Sequence, residues 1–491
     1  MARRLQLRLP VEVARSVQLW LTLAAVALPP LLFGSVDQVS VAFWTGLLSI
    51  STLCGFAEPL SRNQGYVVFA FLALCGSYLL VAFLQIYPGL FGSLNDPHWQ
   101  KAGELLGLDL APRISSRAEI TRVAIGHFLL LITSFLSGFF TGTSRRNADT
   151  LVLTARYSIL VYALYGVFAL ALTPNLVLWS PKLAYRGSLT ATFINHNTAA
   201  TLIGAGLILW SCTALHTLQS LGRVSSIRIL LLITSNEQIG FKIVFRAAAA
   251  LVCLFALLLT GSRGGLICSC LGLLLAVMLM ISNRLKLGIW YGLTLGIAAL
   301  AALVAWLSQT GTIATKGLFD DGRWSVYGLC LDVIGQHPYL GVGAGTFADL
   351  FPSLRTEDFK SWGVWDYAHS TILEIAVEMG IPIALMAIVG CAASLFILIR
   401  AALQSSEHSR SLLSAVSGIA VLSYLHSTID FSLQIPGYLI PFTVLLGCGL
   451  ARATSERKPD LASKASFASP ASAETGLLHP EPLPGASVSG A

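Results

Sequence analysis

The residues of this 491-residue chain that could do chemistry lie in four short stretches and one small cluster. The first stretch, RGSLTATFINHN, carries Arg186, Asn195, His196 and Asn197 just ahead of an apolar run. It is open to two readings: Asn195 or Asn197 caps a helix, or the group contacts an anion or a sugar. The second, TGSRGG (Thr260 to Gly265), is a tight turn between two apolar runs. Its glycines permit close approach and unusual backbone angles. Arg263 there suits a phosphate clamp, because a guanidinium forks onto two oxygens; snorkelling to lipid headgroups is the plainer use of such an arginine. The third stretch runs from Asp320 to Phe347 and opens on Arg323. Trp324, Tyr327, Leu331 and Ile334 recur at helical spacing, which predicts a helix lying on the bilayer surface. Its glycine-rich end, HPYLGVGAG, follows no strand and lacks a Walker lysine, so nucleotide binding is rejected. The fourth, AHSTILEIAVEMG, sets His369 at the head of an apolar helix, with Glu374 and Glu378 on one face. Two carboxylates in such a helix point to a polar cavity. The cluster is His426 and Asp430 in HSTIDFSLQIPG, whose spacing lets them pair on one helical face.

Membrane helices must position these residues. Hydrophobic residues make up 55% of the chain and charged residues 11%, and the mean hydropathy is +0.74. A soluble chain is about a quarter charged, so a cytosolic enzyme, a disordered adaptor and a coiled coil are excluded. The net charge is +7. Its basic residues sit at the ends of apolar blocks, which makes the excess an orientation signal and not a nucleic-acid footprint. All the cysteines except Cys330 lie in apolar blocks. They form no disulfide framework, and Cys268 and Cys270 lack the spacing of a zinc site.

A helix needs about 20 apolar residues to cross the bilayer. Segments near 17–34, 38–57, 66–86, 121–143, 151–173, 197–218, 243–260, 264–282, 288–308, 370–402, 411–428 and 436–452 qualify, about twelve in all. The fold class expected is therefore an all-α polytopic membrane protein. Residues 1–16 form a basic N-terminus ahead of an uncleaved first helix. With that end inside, short loops rich in Arg and Lys fall on the cytoplasmic side, as the positive-inside rule requires. Longer mixed loops, 87–120, 174–196 and 309–369, fall outside, and so do all the chemically able stretches. The tail 454–491 is rich in Ala, Ser and Pro and is expected to be a disordered cytoplasmic extension. No internal repeat relates the two halves, which weakens a pseudo-symmetric transporter.

The pieces SRGG (Ser262 to Gly265), GRW with HPYLGVGAGTF, AHSTILEIAVEMG, FINHN and HSTIDFSLQIP make the chain similar to the O-antigen ligase and polymerase-like membrane glycosyltransferases. They span about 186–437, over half the chain, and their order and spacing carry more weight than any one of them. Ser370 departs from the pattern, where many members have Asn after the His. The resemblance implies a GT-C-like fold with a large periplasmic loop (309–369) between spans nine and ten. Residues 17–185 would then be N-terminal transmembrane helices and 186–453 the catalytic membrane region. It implies a multi-pass protein of the bacterial inner membrane with both termini cytoplasmic and a periplasmic active site.

The implied reaction is metal-independent, inverting glycosyl transfer without a cofactor, from a glycan on undecaprenyl pyrophosphate to an acceptor hydroxyl. By resemblance His369 matches the catalytic histidine, and Arg263 and Arg323 match the donor-binding arginines. Arg186 is a further candidate for the pyrophosphate, with Asn195, Asn197, Glu378, His426 and Asp430 as supporting polar groups. The chemistry agrees: a hydroxyl acceptor needs a base that titrates near neutrality, and a departing pyrophosphate needs fixed positive charge. Asp320 and Asp321 beside Arg323 are open to a second reading as metal ligands. Lipid A-core as acceptor makes the protein a ligase, and the next lipid-linked repeat makes it a polymerase of O-antigen or exopolysaccharide. Some relatives glycosylate proteins. A transporter or flippase for a lipid-linked or anionic substrate is the alternative of another class, and an envelope scaffold would leave the Arg and His without purpose.

Overall fold

A computed structural model describes residues 11–89, 92–221, 237–282, 321–355 and 365–455. The expected span 288–308, the tail beyond Ser455 and parts of the large loop lie outside the described residues. So do residues 1–10 of the basic N-terminus and Asp320. The helices are α1 (Val11–Ala27), α2 (Gln38–Gly55), α3 (Arg62–Ile86), α4 (His98–Leu106), α5 (Ala118–Thr143), α6 (Arg145–Leu172) and α7 (His196–Ser220). They continue as α8 (Glu237–Leu259), α9 (Arg263–Ile281), α10 (Asp321–Gln336), α11 (Phe347–Leu354), α12 (Thr371–Gln404), α13 (Glu407–His426) and α14 (Pro436–Ala453). A two-stranded hairpin, Leu176–Val177 with Ser180–Pro181, is a small addition to the all-α reading.

The chain is a multi-pass membrane protein. Ten of the described helices are long and apolar enough to cross a bilayer: α1 with its extension to Leu31, α2, α3, α5 to α9, α12 and α14. The expected span at 411–428 is α13, which has the length, 20 residues, but not the apolarity. The reason is its position. It packs among α7, α9, α12 and α14, so most of its surface never meets lipid. Ser417 and Ser423 are buried in it and donate to carbonyls one turn back, at 2.7 and 2.8 Å. Helices at the rim do the opposite: Phe43, Phe69, Leu251 and Phe396 are exposed, which suits a hydrocarbon solvent.

Several helices begin before the apolar segments that announce them. α3 starts at Arg62 because Ser61 and Gln64 form a reciprocal capping box, and α6 starts at Arg145 because Ser144 caps it. Hydropathy marks the lipid-facing stretch, whereas a cap marks the helix end. α12 departs further from expectation. Its segment is two helices joined at Gly380, whose φ of 83° and ψ of 165° belong to glycine.

Small residues let the central helices touch backbone to backbone, the usual packing device where lipid and side chains are equally apolar. A Cβ on Gly138 of α5 would lie 2.1 Å from the Val444 carbonyl oxygen of α14, and one on Gly272 of α9 would lie 2.3 Å from that of Gly418 in α13. Polar contacts add to this. Gln18 of α1 donates to the Ser137 carbonyl (3.0 Å) and Thr141 Oγ1 (2.7 Å) of α5, and Ser51 of α2 lies 2.7 Å from Ser137 Oγ. Gly138→Ala is expected to destabilise the protein by about 1–3 kcal/mol through overpacking. Gly46→Ala, where nothing lies within 4 Å, should cost nothing. Melting curves of the two purified variants check this, and equal stability would contradict the close α5–α14 contact.

Candidate active site

The polar stretches converge at one end of the bundle. The N-terminal ends of α7, α9 and α12 meet the loop between α13 and α14. Asn195 caps α7, accepting from the Asn197 N–H at 2.7 Å, which makes the capping reading correct for Asn195. The side chain of Asn197 does something else: its Nδ2 donates to Asp430 (2.7 Å), and its Oδ1 accepts from Ser262 (2.7 Å). Ser262 is itself the cap of α9, so Arg263 stands at that helix's first position, where the helix dipole adds to its charge.

Asp430 is 1% exposed. It also accepts from Ser432 (2.9 Å), whose hydroxyl lies 3.3 Å from His426 Nδ1. Thr201 Oγ1 is 2.9 Å from the same nitrogen. The expected pairing of His426 and Asp430 on a helical face is therefore corrected. α13 ends at His426, Asp430 sits in the loop beyond, and Ser432 joins them.

The surface-helix reading of the third stretch is half right. α10 is a helix, but Val326, Cys330 and Val333 are buried in a cluster with α12, while Trp324 and Leu331 are exposed. One turn of α10 serves the site. Arg323 donates to the Ile429 carbonyl at 2.8 Å, and Tyr327 donates to the His369 carbonyl at 2.9 Å. Arg323 and Arg263 both act electrostatically on the His196 ring, as does Asp430. Burial pushes the Tyr327 phenol above its ordinary range, opposed by Arg323. Tyr185 is raised by burial and by Asp430. Both therefore remain protonated donors at neutral pH.

His369 has a φ of 53°, a left-handed conformation uncommon for a residue with a Cβ. Its ring sits between Trp365 and Phe431, each centroid 4.9 Å away. Neighbouring bonds hold this geometry. Glu374 accepts from the Ala368 N–H and from Gln434, both at 2.7 Å, and the Thr371 N–H donates to the Ser427 carbonyl at 2.8 Å.

Glu378 is tied to backbone. Its carboxylate accepts from the Phe347 N–H (3.1 Å) at the start of α11. The glycine-rich stretch wraps the break in α12: a Cβ on Gly341 would lie 2.3 Å from the Glu378 carbonyl, and Ile381 donates to the Pro338 carbonyl. Gln85 of α3 fastens it, donating to the Leu340 and Glu378 carbonyls (2.6 and 2.7 Å) and accepting from Ala344 (2.9 Å). Arg186 is exposed, and its Nε donates to the Lys182 carbonyl at 3.2 Å. Its loop crosses the Thr260–Gly265 turn, since Leu189 donates to the Leu259 carbonyl, but these bonds do not tie its guanidinium to Asp430.

Sequence reasoning gave no role to Tyr185, Lys182 or Gln85, and placed Tyr327 only in the stripe of a surface helix. Lys182 is buried, donates to the Ser188 carbonyl (2.9 Å), and burial lowers its pKa. The one available signal was Tyr327, one helical turn from Arg323. His196 was read only as a member of the group that contacts an anion or a sugar. Its Nδ1 lies 2.7 Å from the Thr260 carbonyl. A carbonyl only accepts, so Nδ1 carries the proton and Nε2 is the basic nitrogen.

Residues 248–388 match the O-antigen ligase family model. That segment is similar to the O-antigen ligases. It runs from α8 through α9, α10 and α11 into α12 and contains Arg263, Arg323, His369, Glu374 and Glu378. It covers under a third of the chain and leaves Arg186, Asn195, Asn197, His426 and Asp430 outside. It supports the O-antigen ligase or polymerase type of function and a glycosyltransferase-like ligase enzyme. No curated protein matches the chain.

Asp430→Ala should cost about 2–3 kcal/mol, the worth of hydrogen bonds to a buried charge, since it strands Asn197 and Ser432. Asp430→Asn keeps one acceptor and should fall between. Thermal unfolding ranks the three proteins, and an Asp430→Ala variant as stable as the parent would remove Asp430 as the centre of the network.

Proposed function

We propose that this protein transfers a glycan from undecaprenyl pyrophosphate to a hydroxyl of lipid A-core, at the periplasmic face of the inner membrane and without a metal. The observation that carries the reading is the single turn of α10 that holds Arg323 to the Ile429 carbonyl and Tyr327 to the backbone of His369. It couples a fixed cation to a histidine inside the matched O-antigen ligase segment. His369 takes the proton of the acceptor hydroxyl. The oxygen then attacks the anomeric carbon from the face opposite the pyrophosphate, and the carbon–oxygen bond to the lipid breaks with inversion. Arg263 and Arg323 stabilise the negative charge that builds on the departing pyrophosphate. Arg186 joins them from its loop once donor is bound, and Asn195, Asn197, His426 and Asp430 hold the frame. Glu378 acts on the site only through the glycine-rich loop.

His369→Ala is expected to reduce transfer by about 10²–10⁴-fold, the range for losing a general base, with insertion and melting temperature unchanged. The assay uses purified protein with lipid-linked glycan and lipid A-core. His196→Ala is measured beside it, and loss in that variant with activity retained in His369→Ala would move the base to His196. Arg263→Ala should lose about 10²–10³-fold, and Arg263→Lys should recover little of it, because the ammonium cannot fork. Full activity in Arg263→Lys would refute the clamp. In a deletion strain, long lipid-linked polymer accumulates if the protein is a ligase, whereas single lipid-linked repeats accumulate if it is a polymerase.

A further inference from the structure

The other end of the bundle holds a second charged site. A cavity of about 740 Å³ opens between the first half of α6, the last half of α7, the first half of α8 and the start of α13. The candidate active site uses the opposite ends of α7, α8 and α13. Arg145, Arg146, Arg156, Arg246, His216 and His408 line this cavity, and Asp149 is the one acidic residue among its lining.

Arg145 and Arg146 at the mouth are where orientation signals belong. Arg156 and Arg246 are not. Arg156 lies about 16 Å along α6 from its first residue, at about 1.5 Å per residue, so its backbone is about three turns inside a candidate span, where an ionisable residue is a mark of function. It is held over Trp210 and Tyr157, 5.0 and 5.4 Å from the ring centroids, and donates to Thr213 at 3.1 Å. Its neighbour Arg246 donates to Thr217. Arg156 Nε and His216 Nδ1 are buried and have no hydrogen-bond partner among the described residues. The arginines thus repel one another with a single carboxylate in the lining, and none of the hydrogen bonds just described joins them to an acid. The cavity also borders lipid: Leu153 in its wall and the adjoining Tyr157, Phe241 and Val244 are exposed.

We infer that this cavity binds a phosphate-bearing anion. Arginine pairs bind phosphate oxygens bidentately, and an anion between Arg156 and Arg246 would relieve their repulsion and reach the unpaired Arg156 Nε. The exposed apolar rim favours an anionic lipid headgroup as the source, its acyl chains lying against Leu153 and Phe241. The site is independent of the glycan-transfer reading, because it shares no residue with the candidate active site.

The test uses the purified full-length protein in neutral detergent, with melting temperature followed against added phosphatidylglycerol, phosphatidylcholine or inorganic phosphate. Phosphatidylglycerol should raise the melting temperature more than phosphatidylcholine does. Half-saturation should shift at least about tenfold in Arg156→Gln, as expected for one lost charge-assisted contact. Arg146→Gln, exposed at the rim, guards against a folding defect and should shift it in the same direction. A variant-sensitive rise with inorganic phosphate as well assigns the soluble anion, and a rise with lipid alone assigns the headgroup. Equal shifts by the two lipids with none from phosphate, or responses unchanged in both variants, overturn the site.

Discussion

Everything at the candidate active site depends on satisfying the loop between α13 and α14. Ser427, Asp430 and Ser432 of this loop are buried at the junction of helices, and other elements supply partners for its polar groups. Asn197 from α7 binds the Asp430 carboxylate, Arg323 from α10 binds the Ile429 carbonyl, and Thr371 from α12 binds the Ser427 carbonyl. Gln434 in return donates to Glu374, which also holds the backbone beside His369. One constraint therefore locates an arginine and a histidine that are 46 positions apart in the chain.

The same constraint explains why so many polar residues here are scaffolding. Glu374 and Glu378 are acidic residues in an apolar helix, yet both accept backbone N–H groups, and what they position is the His369 turn and the glycine-rich wrap. The break at Gly380 is what makes room for that wrap. The reacting groups are few, and the groups that hold them are many, as catalysis by fixed charge requires.

The two ends of the bundle differ in how charge is compensated. At the candidate active site Arg323 binds a carbonyl beside buried Asp430, each of whose carboxylate oxygens accepts a hydrogen bond. At the far end, Arg156 is steadied by aromatic faces and hydroxyls instead. Helix packing supports both, since α7 and α13 run from one site to the other within the central bundle.

The sequence alone determined the membrane class, the positions of ten of the expected spans and the stretches that meet at the site, because lipid imposes length and apolarity on each helix separately. It also marked Arg263, Arg323 and His369, since each stands in a short, distinctive run. Only tertiary structure decided which polar residues are partners. His426 and Asp430 looked like a helical pair and are joined through Ser432 instead, because the helix ends at His426. Gln85 and Arg156 sit in ordinary apolar runs, and nothing local in those runs announces contacts with Ala344, 259 positions away, or with Thr213, 57 positions away. α13, expected as a span at 411–428, falls short of the apolarity of the other spans, and its packing against four other helices is what removes the need for an apolar surface. Hydropathy and spacing are properties of one segment, while a hydrogen bond between segments is chosen by which helices the fold brings together.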